Sequence, residues 1–291
     1  MAIHSILNRG FWASMLKIAL RPFKRTCIGT IKSIFYNFFF LQYMGALSKK
    51  TKVSWVDHPL DEEIPFMPSF VGVYMDFLPF AVRTQAFLAE SFGKPADPYI
   101  KSFIHIIGEL YARAAVVYKR GFSTTHRPLC LRKAAFVSIR IFDPHLMCIP
   151  SLHVMVVTLT YRKMCQILKC LGAEKEYGGE LESVRRHAIE IIESILYIKQ
   201  HSINCIAAGL YAMTCFDEQL FPASEARDFV GALFLNGGPV SDSSSAAIKT
   251  HIMNLYQNFL DARPEHGNWE QPLLDFLENA GQRRYDEPRS S

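Results

Sequence analysis

The sequence predicts an all-α protein. Apolar residues recur at the spacing of amphipathic helices along most of the chain, strand-like alternation is poor, and Gly- and Pro-rich stretches separate the periodic segments. With 291 residues, 49% of them hydrophobic, the chain has ample material for a core and is long enough for one large domain or two small ones.

The first element is a basic, aromatic arm over residues 1–56, with helix predicted around 11–47. It carries nine bases (Arg9, Lys17, Arg21, Lys24, Arg25, Lys32, Lys49, Lys50, Lys52) and no Asp or Glu, so against a total of +5 the arm is about +9 and the remainder about −4. Between the bases lie Phe11, Trp12, Leu16, Ile18, Leu20, Phe23 and the run Phe35 to Leu41. Such a pattern suits an interfacial segment drawn to an anionic membrane surface. Nucleic acid is the competing partner, because bases interleaved with aromatics also suit phosphate backbones and stacked bases. The near-continuous apolar blocks favour lipid, and a basic surface on helices packed against the body is the plain alternative.

Pro59 and Pro65 punctuate the connection to a helical domain over 57–281, and 282–291 is expected to fray. Its helices are predicted around 68–92, 97–119, 130–140, 151–170, 179–214, 224–235, 244–262 and 269–280. Gly93-Lys94-Pro95 breaks before the third of the chain's helices, and Gly178-Gly179 opens the 179–214 helix. Asn236-Gly237-Gly238-Pro239 and the serines after it form a connector with an N-cap signal, without the spacing and Lys of a phosphate-binding P-loop.

Composition narrows the setting. The longest uncharged stretches are 144–161, 200–216 and 33–48, at or below the roughly 18 to 20 residues a membrane span needs. Mean hydropathy is only +0.08. A peripheral, membrane-associated protein is expected, with an integral placement left open. The bases interrupt every apolar run near the N-terminus, unlike a secretory signal. Seven cysteines, an odd number with no Cys-x-x-Cys, predict reduced thiols in a reducing, cytoplasmic compartment.

Chemistry is concentrated in three segments. Pro150-Ser151-Leu152-His153 at a helix start joins a hydroxyl, free backbone N–H groups and an imidazole, the beginnings of a phosphate site. About 22 residues earlier comes Arg120, six residues, then Arg127-Pro128, with Lys119 as an alternative leading base. About 48 residues after His153 comes Ser194 followed by Lys199-Gln200-His201 and Cys205. On one continuous helix Ser194, Ile198, His201, Cys205 and Ala208 would share a stripe, which also fits a structural core histidine.

Together the three segments resemble the signature of the type 2 phosphatidic acid phosphatase superfamily, which includes the vanadium haloperoxidases. The Leu152 variant of the second motif is similar to the lipid-transferase and aureobasidin-resistance branches. The resemblance spans roughly 119–209, under a third of the chain. It implies a multi-helix bundle of the phosphatidic acid phosphatase/haloperoxidase type and a hydrolase or phosphotransferase acting on a lipid phosphate or other phosphomonoester. It assigns His201 as nucleophile forming a phosphohistidine, and His153 as the acid for the leaving oxygen. Arg120 or Lys119, Arg127 and Ser151 would bind phosphoryl oxygens, and Ser194 keeps the third motif in register. No cofactor or metal is implied. Two positions depart from the pattern: Ile195 stands where the family has arginine, and Cys205 where it has the aspartate that orients the nucleophile. A thiol with a reference pKa of about 8.5 is mostly neutral at pH 7 and fills that role poorly. The alternative is therefore a catalytically degenerate relative that binds phosphate or lipid. A metal held by His201, Cys205 and His153 is a further option that the nearby arginines oppose.

Overall fold

The computed structural model describes residues 5–48, 51–130, 134–235, 238–264 and 267–284. Lys49 and Lys50, Asn236-Gly237, the start of the predicted 130–140 helix at 131–133, and the tail from 285 lie outside the described residues. The chain is mostly helical, as its periodicity predicts.

The arm's bases and aromatics form two helical runs rather than one: α1 (Phe11–Ala19), and a continuous run over 24–47 made of α2 (Lys24–Ile34), a π-helical turn (Phe35–Phe40) and α3 (Leu41–Leu47). Pro22 and the turn around it interrupt the expected 11–47 helix. Ile6, Ile18 and Phe23 enter the core, so the arm packs on the body. Three of its bases are neutralised there: Arg9 and Lys17 pair with Glu90, and Arg21 pairs with Asp97 at 2.7 Å.

Strand β1 (Lys52–Trp55) follows, and then α4 (Val71–Tyr74), α5 (Phe77–Phe92), α6 (Asp97–Tyr118) and β2 (Phe122–Thr124). Next come α7 (Ala134–Phe142), α8 (Leu152–Cys170), α9 (Gly178–Tyr197) and α10 (Ile203–Phe216). The chain closes with α11 (Ala223–Ala232), α12 (Asp242–Asp261), α13 (Gln271–Asn279) and β3 (Gln282–Arg284). The strands form one small sheet in the order β2-β1-β3, β1 parallel to β2 with Val53 opposite Phe122 and antiparallel to β3. These four- and three-residue strands are too short to show a period in sequence.

Helices α8 and α10 are the centre of the bundle. All of α10 from Ile203 to Thr214 is buried, as is α8 from Leu152 to Thr160. Their close approach requires Gly209, where a Cβ would sit 2.8 Å from Val154 Cβ and 3.2 Å from Ser151 O. Outside them, α2 lies on α6, with Thr30 Oγ1 donating to Ile104 O at 2.8 Å and Ser33 Oγ to Gly108 O at 2.6 Å.

The predicted 179–214 helix is two helices. The break lies at Ile198–Ser202, where Lys199 takes a left-handed φ of 54° and the N–H groups of Gln200 and His201 both donate to Ile195 O. Tertiary capping holds it: the Ile203 N–H donates to Asp61 Oδ1 at 2.9 Å, the Lys199 ammonium donates to Asp61 O, and Ser202 accepts from the Asn204 N–H. The proposed single stripe of Ser194, Ile198, His201, Cys205 and Ala208 is thereby corrected, because Ser194 belongs to α9 and Cys205 to α10.

Candidate functional site

Strand β2 positions the second motif. The Ser123 N–H donates to Leu146 O at 3.0 Å, the Cys148 N–H to Ser123 O at 3.3 Å, and the Ile149 N–H to Ser123 Oγ at 2.9 Å. Residues 146–149 thus run beside β2, and the Tyr118 hydroxyl donates to Pro150 O at 2.5 Å after a cis Ile149–Pro150 bond. Ser151 is the N-cap of α8, yet its hydroxyl makes no capping bond and, though fully buried, has no protein partner.

The third motif arrives from the α9–α10 turn and meets the second. The His153 and His201 rings lie 5.4 Å apart between centroids, at 65°. Both line a small cavity, about 20 Å³, together with Phe38, Gln42, Phe77 and Tyr111. That is room for about one water-sized group. His153 Nε2, His201 Nδ1 and Gln42 Nε2 are buried and have no protein partner. Unmet buried polar atoms cost roughly 1–3 kcal/mol each, so their gathering at one cavity marks a place built to engage a polar group.

Other residues surround the pair that the sequence reading missed. His145 lies 6.2 Å from His201, has a left-handed φ of 65°, and places Nε2 2.8 Å from Thr125 Oγ1. Its N–H donates to Asp143 Oδ1 at 2.8 Å. The Cys148 sulfur lies 3.5 Å from His145 Nε2, and the thiol also interacts with Cys205 and His201. Phe77 and Tyr74 cover His153, with ring centroids at 4.0 and 4.4 Å. The visible signals were slight: Gln42 is one of two amides in the apolar run 35–44, and His145 follows Asp143-Pro144 in a turn.

Electrostatics follow from burial. His145 is held well below the ordinary histidine pKa, first by burial and then by Arg127. Burial, with a smaller contribution from His201, does the same to His153. Burial pushes the Cys148 thiol and the Tyr74 hydroxyl well above their ordinary values. A neutral His153 carries a lone pair on one nitrogen and a proton on the other.

The sequence-predicted cations divide. Arg127 stays close: its guanidinium donates to Gln200 Oε1 at 3.3 Å and Asp143 O at 3.4 Å. Arg120 pairs instead with Glu270 at 3.1 Å, and Lys119 is exposed at the end of α6; like Arg127, neither lines the histidine cavity, whereas Asp143 does. Ser194 donates to Ile191 O in its own helix, and Ile195 is fully buried. Glu193 accepts from the Phe234 N–H at 2.5 Å, and burial raises its pKa to about 7. Among the described residues no group of three His, Cys, Asp or Glu side chains is arranged to hold a metal ion.

The fold and site define a helical protein with a buried histidine pair at the meeting of two helix N-termini. No protein-family model matches the chain, and neither does any curated protein or any solved structure.

Proposed function

We propose that the chain is a diverged phosphoesterase or phosphotransferase of the type 2 phosphatidic acid phosphatase kind, handling a lipid phosphate or other phosphomonoester between His153 and His201. The observation that carries this reading is the 5.4 Å apposition of the two histidines, each with a buried ring nitrogen lacking a protein partner. A phosphoryl group between them would meet the Ser151 hydroxyl and the open first turn of α8, with Arg127 nearby. His201 would attack phosphorus as the P–O bond breaks, and His153 would deliver its proton to the departing oxygen. Water would then cleave the P–N bond. His153 is neutral in the free protein, and an incoming phosphate dianion favours its charged form, so binding and proton uptake go together.

A second reading, binding without turnover, is favoured by a specific set of losses. Arg120 is occupied by Glu270, Ile195 replaces a cation, and Cys205 replaces the carboxylate beside the nucleophile. Hydrolysis of p-nitrophenyl phosphate and of phosphatidic acid by wild type, His201→Ala and Cys205→Asp separates the two. Turnover by wild type that disappears in His201→Ala supports the enzyme. A silent wild type that still binds inorganic phosphate supports the second reading.

A further inference from the structure

The histidine cavity has a wall supplied by the arm. Phe38 in the π-helical turn and Gln42 in α3 line it, with the Phe38 ring edge-on to Tyr111 at 6.1 Å and Gln42 Oε1 accepting from the Leu146 N–H at 3.0 Å. The opposite face of the same segment is bare and apolar: Tyr36 is 60% exposed, Phe40 50% and Leu47 78%. One stretch of helix therefore closes the site with one face and presents aromatic and aliphatic side chains to the outside with the other. In the preceding helices Trp12, Leu16, Leu20, Ile28 and Ile31 are exposed as well.

The cavity is narrow, about 20 Å³, and Phe38 and Gln42 form part of its lining, so moving them would widen it for a phosphate with four oxygens. The arm wall is held mainly by packing, with few side-chain hydrogen bonds. Among the described residues, side chains of 35–47 make two hydrogen bonds to the body, Gln42 with Leu146 and the Tyr43 hydroxyl with Ile141 O. The segment also contains the π-helical turn, a geometry found frequently at functional sites.

We propose that Phe35–Leu47 is a membrane-operated cover: its outer face seats in the interface of an anionic bilayer, and seating draws Phe38 and Gln42 off the histidine cavity, opening it to a ligand in the bilayer. An anionic bilayer is the occupant because the surface combines aromatic and aliphatic side chains with Lys24, Arg25 and Lys32, which make no ion pair among the described residues. No acidic residue precedes Asp57 to repel it. Among the described residues no helix is long and apolar enough to cross a membrane, so the seating proposed for the 24–47 helical run is in the plane of the interface. The inference rests on the histidine cavity being the functional site, not on turnover there.

The test uses the full chain with vesicles of phosphatidylcholine alone or mixed with phosphatidylglycerol. Flotation reports seating, and carbethoxylation of His153 and His201 by diethyl pyrocarbonate, read by peptide mass analysis, reports opening. The expected result is flotation with phosphatidylglycerol vesicles and a several-fold faster modification of both histidines, neither occurring with phosphatidylcholine alone. The exposed-face variant Tyr36→Ser/Phe40→Ser/Leu47→Ser, checked for unchanged thermal unfolding, should lose both responses. Gln42→Leu, which removes one tie, should raise the modification rate without vesicles. Flotation with no change at the histidines overturns the cover, and absence of flotation overturns the docking surface. A stable dimer in solution that the triple variant dissociates assigns the face to a second copy and overturns the proposal. Failure of the phosphoesterase reading appears separately, as vesicle-dependent opening without hydrolysis.

Discussion

The ring of Phe77 lies 4.0 Å from the imidazole of His153, tilted by 42°. Together with Tyr74 on the same ring, it keeps water from the histidine and accounts for the burial that lowers its pKa. Phe77→Ala opens this cover from within the body. The His153 pKa should rise toward the ordinary value of about 6.5, as read by NMR titration of the ring protons, with a stability loss of about 1–3 kcal/mol for the half-buried ring. An unmoved pKa would show that Phe77 does not set the desolvation.

Acid should destabilise the protein through His145 and His153. Both are held neutral in the folded state with pKa values well below 6.5, so below about pH 6.5 the unfolded chain binds protons that the folded chain refuses. Their stabilising balance is whole above that pH and declines by up to about 1.4 kcal/mol per pH unit for each as the pH falls. Glu193 acts in the opposite sense, because its raised pKa of about 7 makes the folded state bind a proton that the unfolded state takes up only near pH 4.5. Urea unfolding between pH 7 and 5 should show a net loss, and Glu193→Gln should steepen it.

Gly209→Ala tests the approach of α8 to α10. The added methyl would meet Val154 Cβ at 2.8 Å, a contact between two buried helices with little room to yield. Overpacking of this kind costs about 1–3 kcal/mol. The shift should also move the start of α8, which carries Ser151 and His153, so chemical modification of His153 should change along with the melting temperature.

Asp61 is the tertiary cap that ends the α9–α10 turn. Its carboxylate accepts from the His58 N–H at 2.7 Å and the Ile203 N–H at 2.9 Å. Bonds to a charged acceptor and the loss of a cap make Asp61→Ala worth about 2–3 kcal/mol of stability, measured by denaturant unfolding. Ser194→Ala, which removes only a bond within α9, should cost less.

The helices over 97–119, 151–170, 244–262 and 269–280 were legible because their apolar stripes are long and locally periodic; the observed α6, α8, α12 and α13 match them closely. The turn at Ile198–Ser202 was not, since the sequence there has neither Gly nor Pro and its cap comes from Asp61, far away in the chain. The same division runs through the site. The apposed His153 and His201 could be named from motif chemistry, whereas Phe77, Tyr74, His145 and Gln42 stand at unrelated points of the chain and carry no local signal.

The sequence by itself determined the helical class, the acid-free basic arm and the two histidines that face each other, because periodicity, charge and short motifs are properties of neighbouring residues. Only the tertiary structure decided that Arg120 serves Glu270 rather than the site, that Cys148 joins Cys205 beside His201, and that the arm closes the cavity. Pairing and burial are set by which surfaces exclude water together, and that depends on contacts between segments distant in sequence.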